Sequence, residues 1–287
     1  MKKLIATVAL VMALAAPAWA VTIELNNLGG TPFANSYGGG NLSSIMRTAA
    51  DMWQSATSSY IGTLAIDYGY AVIQPMAQHQ LLQQANGHET KGRILFDSNF
   101  LFTAYMDATP ATATEFVGYK ERSADFGAGA VNDGRVYGQF VDNLAGAPDT
   151  VFDVLSVALH EIGHALGLTP SLSAFLTDAS DGYLNIDGSA IPMSFNYAGP
   201  NGHVEYPVGS VWAVMGGVVG NERHLLSDLD ILAVGSFWGD SLDGGVRAIG
   251  LDTLPSPISA APVPEPGTAI LFGIGLLGFA ASVRGRG

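Results

Sequence analysis

Cysteine is absent from all 287 residues, which excludes disulfides, thiolate metal sites and cysteine nucleophiles together. Any transition metal must then be held by His, Asp or Glu. Basic residues are scarce: 12 Lys and Arg stand against 25 Asp and Glu, a formal net charge of −13. So acidic a chain lacks the basic face that neutralises phosphates, and a generic nucleic-acid binder is excluded. Charged residues make up only 13% of the chain against 48% hydrophobic, and the 9% of aromatics argue for a packed core rather than disorder. The length allows one substantial domain or two small ones. Long apolar runs are confined to the two ends.

Residues 1–20 open on Met1-Lys2-Lys3, run apolar from Leu4 to Ala16 and close on Pro17-Ala18-Trp19-Ala20. A basic start, an apolar middle and an Ala-x-Ala exit are the layout of a cleaved secretory signal peptide, so the mature chain is expected to begin at Val21. The run is short beside the roughly 20 residues of a membrane-spanning helix. At the other end Pro262-Val263-Pro264-Glu265-Pro266-Gly267 precedes an apolar stretch from Thr268 to Val283 and the basic close Arg284-Gly285-Arg286-Gly287. This tail resembles the PEP-CTERM sorting signal, a Pro-Glu-Pro motif followed by a short transmembrane-type hydrophobic helix and a basic end. The resemblance implies an exosortase-type processing enzyme as partner and a Gram-negative bacterium as host. It also implies a secreted or cell-surface destination, with membrane contact only through the tail before processing. With both ends set aside, residues 21–263 carry 8 basic residues against 24 acidic, a net charge of −16.

Between the ends, Val21 to Leu25 alternates as a half-buried strand. A glycine-rich loop follows to Gly40, and Asn41 opens a helix whose apolar positions are Ile45, Ala49, Met52 and Trp53. Ile61–Tyr70 and Arg93–Asp97 read as strands, and the glutamine-rich stretch from Val72 to Gly87 between them as a helix. Val136–Val141 is the best strand candidate in the next region, where Asn132-Asp133-Gly134 reads as a turn. His79 and His88 read as solvated side chains.

The segment Asp149 to Gly167 carries the chemistry. Thr150 followed by Asp153 is a helix-start signature, and Phe152, Leu155, Leu159, Ile162 and Leu166 recur at helical steps. His160 and His164 are four apart, so both project from one side of the helix toward one ion. Glu161 lies one step round, placed to take a proton from water. Gly167 can adopt the left-handed turn that ends the helix.

Leu159 to Leu168 resembles the metzincins, whose motif is His-Glu-x-x-His-x-x-Gly-x-x-His followed by a methionine turn. The third histidine of the compact motif falls at Pro170, which has no metal-binding atom. The resemblance is therefore to the leishmanolysin-like arrangement, in which an insertion delays the third ligand. Downstream, Val214-Met215-Gly216 resembles the methionine turn, and Leu225 to Val234 the helix that closes the C-terminal half, with Ser227, Asp228 and Asp230 at its start. His203, shortly before that turn, is the expected third ligand, with His224, Glu205 and Glu222 as competitors.

The resemblance implies an α+β, zincin-like fold: a twisted mixed sheet against two long helices, with a smaller, irregular C-terminal part holding His203 and Met215. It implies a secreted zinc-dependent endopeptidase acting on protein or peptide substrates, with one Zn2+ on His160, His164 and His203, Glu161 as general base and Met215 as floor. The alternative is a non-catalytic extracellular matrix or adhesion protein on a degenerate scaffold, as Pro170 would allow. Asp178 to Gly188 alternates oxygen-bearing residues with glycines, which fits a Ca2+ loop less well than a hairpin around Asp181-Gly182. The expected organisation is 1–20 signal peptide, 21–255 catalytic domain, 256–263 linker and 264–287 sorting tail.

Overall fold

The computed structural model describes residues 21–57, 62–116, 118–137, 151–186, 188–196, 199–205, 212–217 and 220–238. The expected signal peptide, linker and sorting tail lie outside them. Among the described residues no helix is long and apolar enough to cross a membrane.

Strand β1 (Val21–Gly29) is followed by the short β2 (Ser36–Tyr37) and by helix α1 (Leu42–Ala56). Asn41 caps α1, its side chain accepting from the Ser44 amide at 2.9 Å. The helix buries Leu42, Ile45, Met46, Ala49, Met52 and Trp53 on one face. Strands β3 (Gly62–Ala71), β4 (Ala77–Ala85) and β5 (His88–Asp97) complete a sheet of order β1-β3-β5-β4. β1, β3 and β5 run parallel, and β4 is antiparallel at the edge.

The glutamine-rich stretch is thus a strand, which corrects the helical reading. Asn86 (φ 54°) and Gly87 (φ 83°) make the two-residue turn that folds β4 back on β5. That local signal outweighs the tolerance of glutamine for helix.

Beyond it lie β6 (Thr103–Tyr105), β7 (Tyr119–Asp125), β8 (Ala130–Tyr137) and β9 (Val151–Asp153). β2, β6 and β9 form a small parallel sheet. Asn132-Asp133-Gly134 is no turn: it lies inside β8, where Arg122 of β7 pairs with Gly134 and Ser123 with Asn132. The extra residue, Asp133, is fully buried, and the Gly134 amide donates to Asn132 Oδ1 at 2.9 Å. A β-bulge has taken the place of the turn. Of the strand expected at 136–141, residues 138–141 lie outside the described residues.

Helix α2 (Val154–Ala165) follows β9 directly. It packs against α1, β4 and β5, and the Trp53 indole donates to the Leu159 carbonyl at 2.9 Å. The C-terminal part holds α3 (Ser173–Asp178), the antiparallel sheet β10 (Tyr183–Ile186), β11 (Ser189–Asn196) and β12 (Gly199–Val204), then β13 (Arg223–Leu225) beside β8, and α4 (Asp228–Trp238). Asp181 closes a 3-10 turn and Gly182 (φ 95°) leads into β10. The hairpin therefore turns after Ile186, not at Asp181-Gly182, and Asp181 Oδ1 accepts from the Tyr183 amide.

Candidate metal centre

The start of α2 is set by Asp153; Thr150 of the expected helix-start signature lies outside the described residues. The Asp153 carboxylate accepts from the amide and hydroxyl of Ser156 at 2.9 and 2.7 Å, so Phe152 belongs to β9 and not to the helical stripe. Asp153 is itself held by the fully buried Arg223. The guanidinium lies 2.7 Å from Asp153 Oδ1 and 2.6 Å from Asp107 Oδ2, and donates to the Thr112 carbonyl at 2.9 Å. It stacks 4.5 Å above the Phe116 ring. Burial raises the Asp107 carboxyl even against this cation, while the two carboxylates hold the Arg223 guanidinium above its ordinary value.

One turn apart on α2, His160 and His164 bring their Nε2 atoms to 3.0 Å. β12 brings His203 Nε2 to 3.1 Å from His160 Nε2. Among the described residues these three histidines are the one group of metal-ligating side chains that converges on a point. Four-coordinate zinc with Zn–N near 2.05 Å places neighbouring nitrogens about 3.3 Å apart, close to the observed spacings.

The outward nitrogens decide which atoms face inward. His160 Nδ1 lies 2.7 Å from the Val214 carbonyl and His164 Nδ1 2.5 Å from the Leu168 carbonyl. A carbonyl can only accept, so each Nδ1 carries the proton and each Nε2 offers a lone pair. Burial, then the neighbouring histidines, lowers His160 to about 4 and His164 well below its ordinary value, and burial lowers His203. Converging neutral imidazoles with lone pairs aimed at one point fit a cation.

Two glycines make the approach possible. A Cβ on Gly202 (φ 82°) would meet the Leu168 carbonyl oxygen at 2.5 Å, so β12 reaches α2 only with glycine before His203. A Cβ on Gly163 would meet Met215 Sδ at 2.2 Å and Trp53 Cζ2 at 3.2 Å. Gly163→Ala is expected to destabilise the protein by about 1–3 kcal/mol through overpacking, checked by thermal melting. An unchanged Tm would show that Met215 can move aside freely.

Met215 sits fully buried in the 3-10 turn Val214–Gly216. The turn is fixed by Asp230, whose carboxylate accepts from the amides of Val214 (3.1 Å), Met215 (2.8 Å) and Ser227 (2.8 Å) and from the Ser227 hydroxyl (2.7 Å). Asp230, in the first turn of α4, thus reaches back to hold the turn as well as the start of its own helix. Burial still pushes its carboxyl up to about 6.

Glu161 is buried beside His160 and outside the cluster of nitrogens. Burial pushes its carboxyl up to about 7, opposed by the nearby His79 backbone N–H. The competitors for the third position lie elsewhere. His224 is buried with Nδ1 3.2 Å from the Trp212 carbonyl and Nε2 3.4 Å from the half-exposed Glu222, and Glu205 is exposed.

His79, read as solvated, is buried: its Nε2 lies 2.8 Å from Glu89 Oε1, with the two side chains 4% and 0% exposed. Its ring lies over that of His164, centroids 6.4 Å apart and planes 28° from parallel. The Asn86-Gly87 hairpin, which folds β5 back beside β4, is the sequence signal that could have found this pair. His88 is half-buried at the start of β5.

A mixed sheet, paired helices and a histidine helix packed on the Val214–Gly216 turn make an α+β fold of the zincin, metzincin-like class. Residues 74–176 match the family model described as Matrixin, a family of metzincins, and residues 262–286 match the PEP-CTERM protein-sorting motif. No curated protein and no solved structure gives a match. The matrixin match runs from β4 through α2 and ends before His203 and Met215, so those two rest on geometry alone. The family implies zinc, and calcium is not shown.

Proposed function

We propose that the protein is a secreted zinc-dependent endopeptidase with its catalytic domain at 21–255, preceded by the signal peptide 1–20 and followed by the linker 256–263 and sorting tail 264–287. The observation that carries this reading is the convergence of three neutral imidazoles beside a buried carboxylate that is not itself in the cluster. His160, His164 and His203 would hold the ion, with Met215 as the apolar floor. Zn2+ there supplies Lewis acidity toward water and toward the scissile carbonyl. Glu161 takes the proton of the attacking water and passes it to the leaving amine nitrogen.

The carbonyls of Val214 and Leu168 lock the two helix imidazoles, so the ligand set is formed before any ion arrives. The PEP-CTERM motif supports sorting to the outside or surface of a Gram-negative cell after exosortase-type processing, and protein or peptide substrates follow from the family. Purified protein is expected to cleave an unstructured protein such as casein, to lose this activity to a chelator and to regain it with Zn2+. Cleavage indifferent to chelator would overturn the reading.

A further inference from the structure

The His79–Glu89 pair has no part in holding the ion and is costly to bury. Among the described residues Glu89 Oε2 has no hydrogen-bond partner, and burial raises the Glu89 carboxyl despite His79. Such a pair is often replaceable by apolar side chains without loss of stability, so stability alone is a poor reason for its presence. The sheet makes room for it. A Cβ at Gly92 would meet Glu89 Oε1 at 2.0 Å and His79 Nε2 at 3.2 Å, while the backbone of Gly92 is open to any residue. The β4–β5 ladder slips on both sides of Gln83, and past that slip Glu89 reaches back to His79.

The pair lies against the metal centre in two ways. His164 meets His160 and His203 edge to face, at 4.6 and 5.0 Å between centroids, and is pinned through Nδ1. His79 covers one of its faces. The strand that carries His79 also packs along α2, the helix that carries Glu161.

We propose that His79, anchored by Glu89, is a positioning residue of the metal centre: the pair fixes the stretch of β4 that faces Glu161 and the plane of the His164 ring. The Glu161 half of this rests on the endopeptidase reading, whereas the His164 half needs only a metal. The test loads the purified protein with Co2+ and compares wild type, Glu89→Gln, Glu89→Leu and His79→Leu by visible absorption, Co2+ affinity, and kcat and KM on a peptide. Glu89→Gln keeps an oxygen toward His79 and is expected to match wild type. The two Leu variants are expected to shift the Co2+ bands and to lose about 10–100-fold in metal affinity or kcat, as residues that orient metal ligands do, with KM little changed.

Thermal melting separates unfolding from misplacement. Should a Leu variant not fold, Glu89→Gln against His79→Gln reads the same contrast. Leu variants with the wild-type spectrum and kcat would overturn the proposal. A wild type that shows the Co2+ bands and cleaves nothing would overturn the endopeptidase reading while the spectra still decide the role of His79. A wild type that takes up no Co2+ would overturn both.

Discussion

Glu161→Gln is expected to lower peptide hydrolysis by at least about 10²–10⁴-fold, the range for loss of a general base, while zinc content stays at the wild-type level. The amide preserves size and hydrogen-bonding reach but cannot take a proton. Zinc is retained because the converging nitrogens belong to His160, His164 and His203. Rates on a quenched fluorescent peptide and metal content measured on the same preparation check both halves. Wild-type activity in the variant would show that another group takes the proton.

The same substitution has a stability consequence with a defined sign. Burial raises the Glu161 carboxyl to about 7 from its ordinary 4.5, so its favourable contribution is full below about pH 4.5 and is lost as pH rises through 7. In the metal-free protein, Glu161→Gln should therefore gain stability over wild type at pH 8 relative to pH 5. A functional carboxylate held at a cost to the fold is a common trade-off.

The second large effect lies at the base of α2. Arg223→Met is expected to cost about 3–5 kcal/mol, the range for removing one partner of a buried ion pair. It strands Asp107 and Asp153, exposed 1% and 0%, and loosens the carboxylate that caps the histidine helix. Without the guanidinium, which opposes the effect of burial, the Asp107 carboxyl rises further. The deficit should then be smaller at pH 4, where Asp107 can protonate, than at pH 8. Asp107→Asn and Asp153→Asn added to Arg223→Met should recover part of the loss. Urea denaturation followed by circular dichroism measures all three effects, and a deficit under about 1 kcal/mol would mean that the pair behaves like a surface contact.

The helix with His160, Glu161 and His164 was legible because its spacing is local and its chemistry restrictive. Helix α1 was legible for the same kind of reason, a capping Asn41 before an apolar stripe. β4 was misread because glutamine fits helix and strand alike, and what decides is the Asn86-Gly87 turn acting with a partner strand distant in sequence. The same pairing hides His79, whose burial depends on Glu89 across the hairpin. Asn132-Asp133-Gly134 has turn composition, yet burial of Asp133 inside β8 makes it a bulge. The place of His203 followed from its position before Met215, whereas its 3.1 Å approach depends on β12 folding over α2 at Gly202. The roles of Arg223 and Asp230 are tertiary throughout, since each joins elements that no local pattern links.

Zinc content of the purified protein, measured by elemental mass spectrometry for wild type, His203→Ala and His224→Ala in parallel, tests the central claim most directly. The account predicts close to one zinc per chain in wild type and His224→Ala, and loss of zinc in His203→Ala. Zinc retained in His203→Ala and lost in His224→Ala would contradict the assignment of the third ligand. A wild type that takes up no zinc would contradict the metal centre itself and leave a metzincin shell without its chemistry.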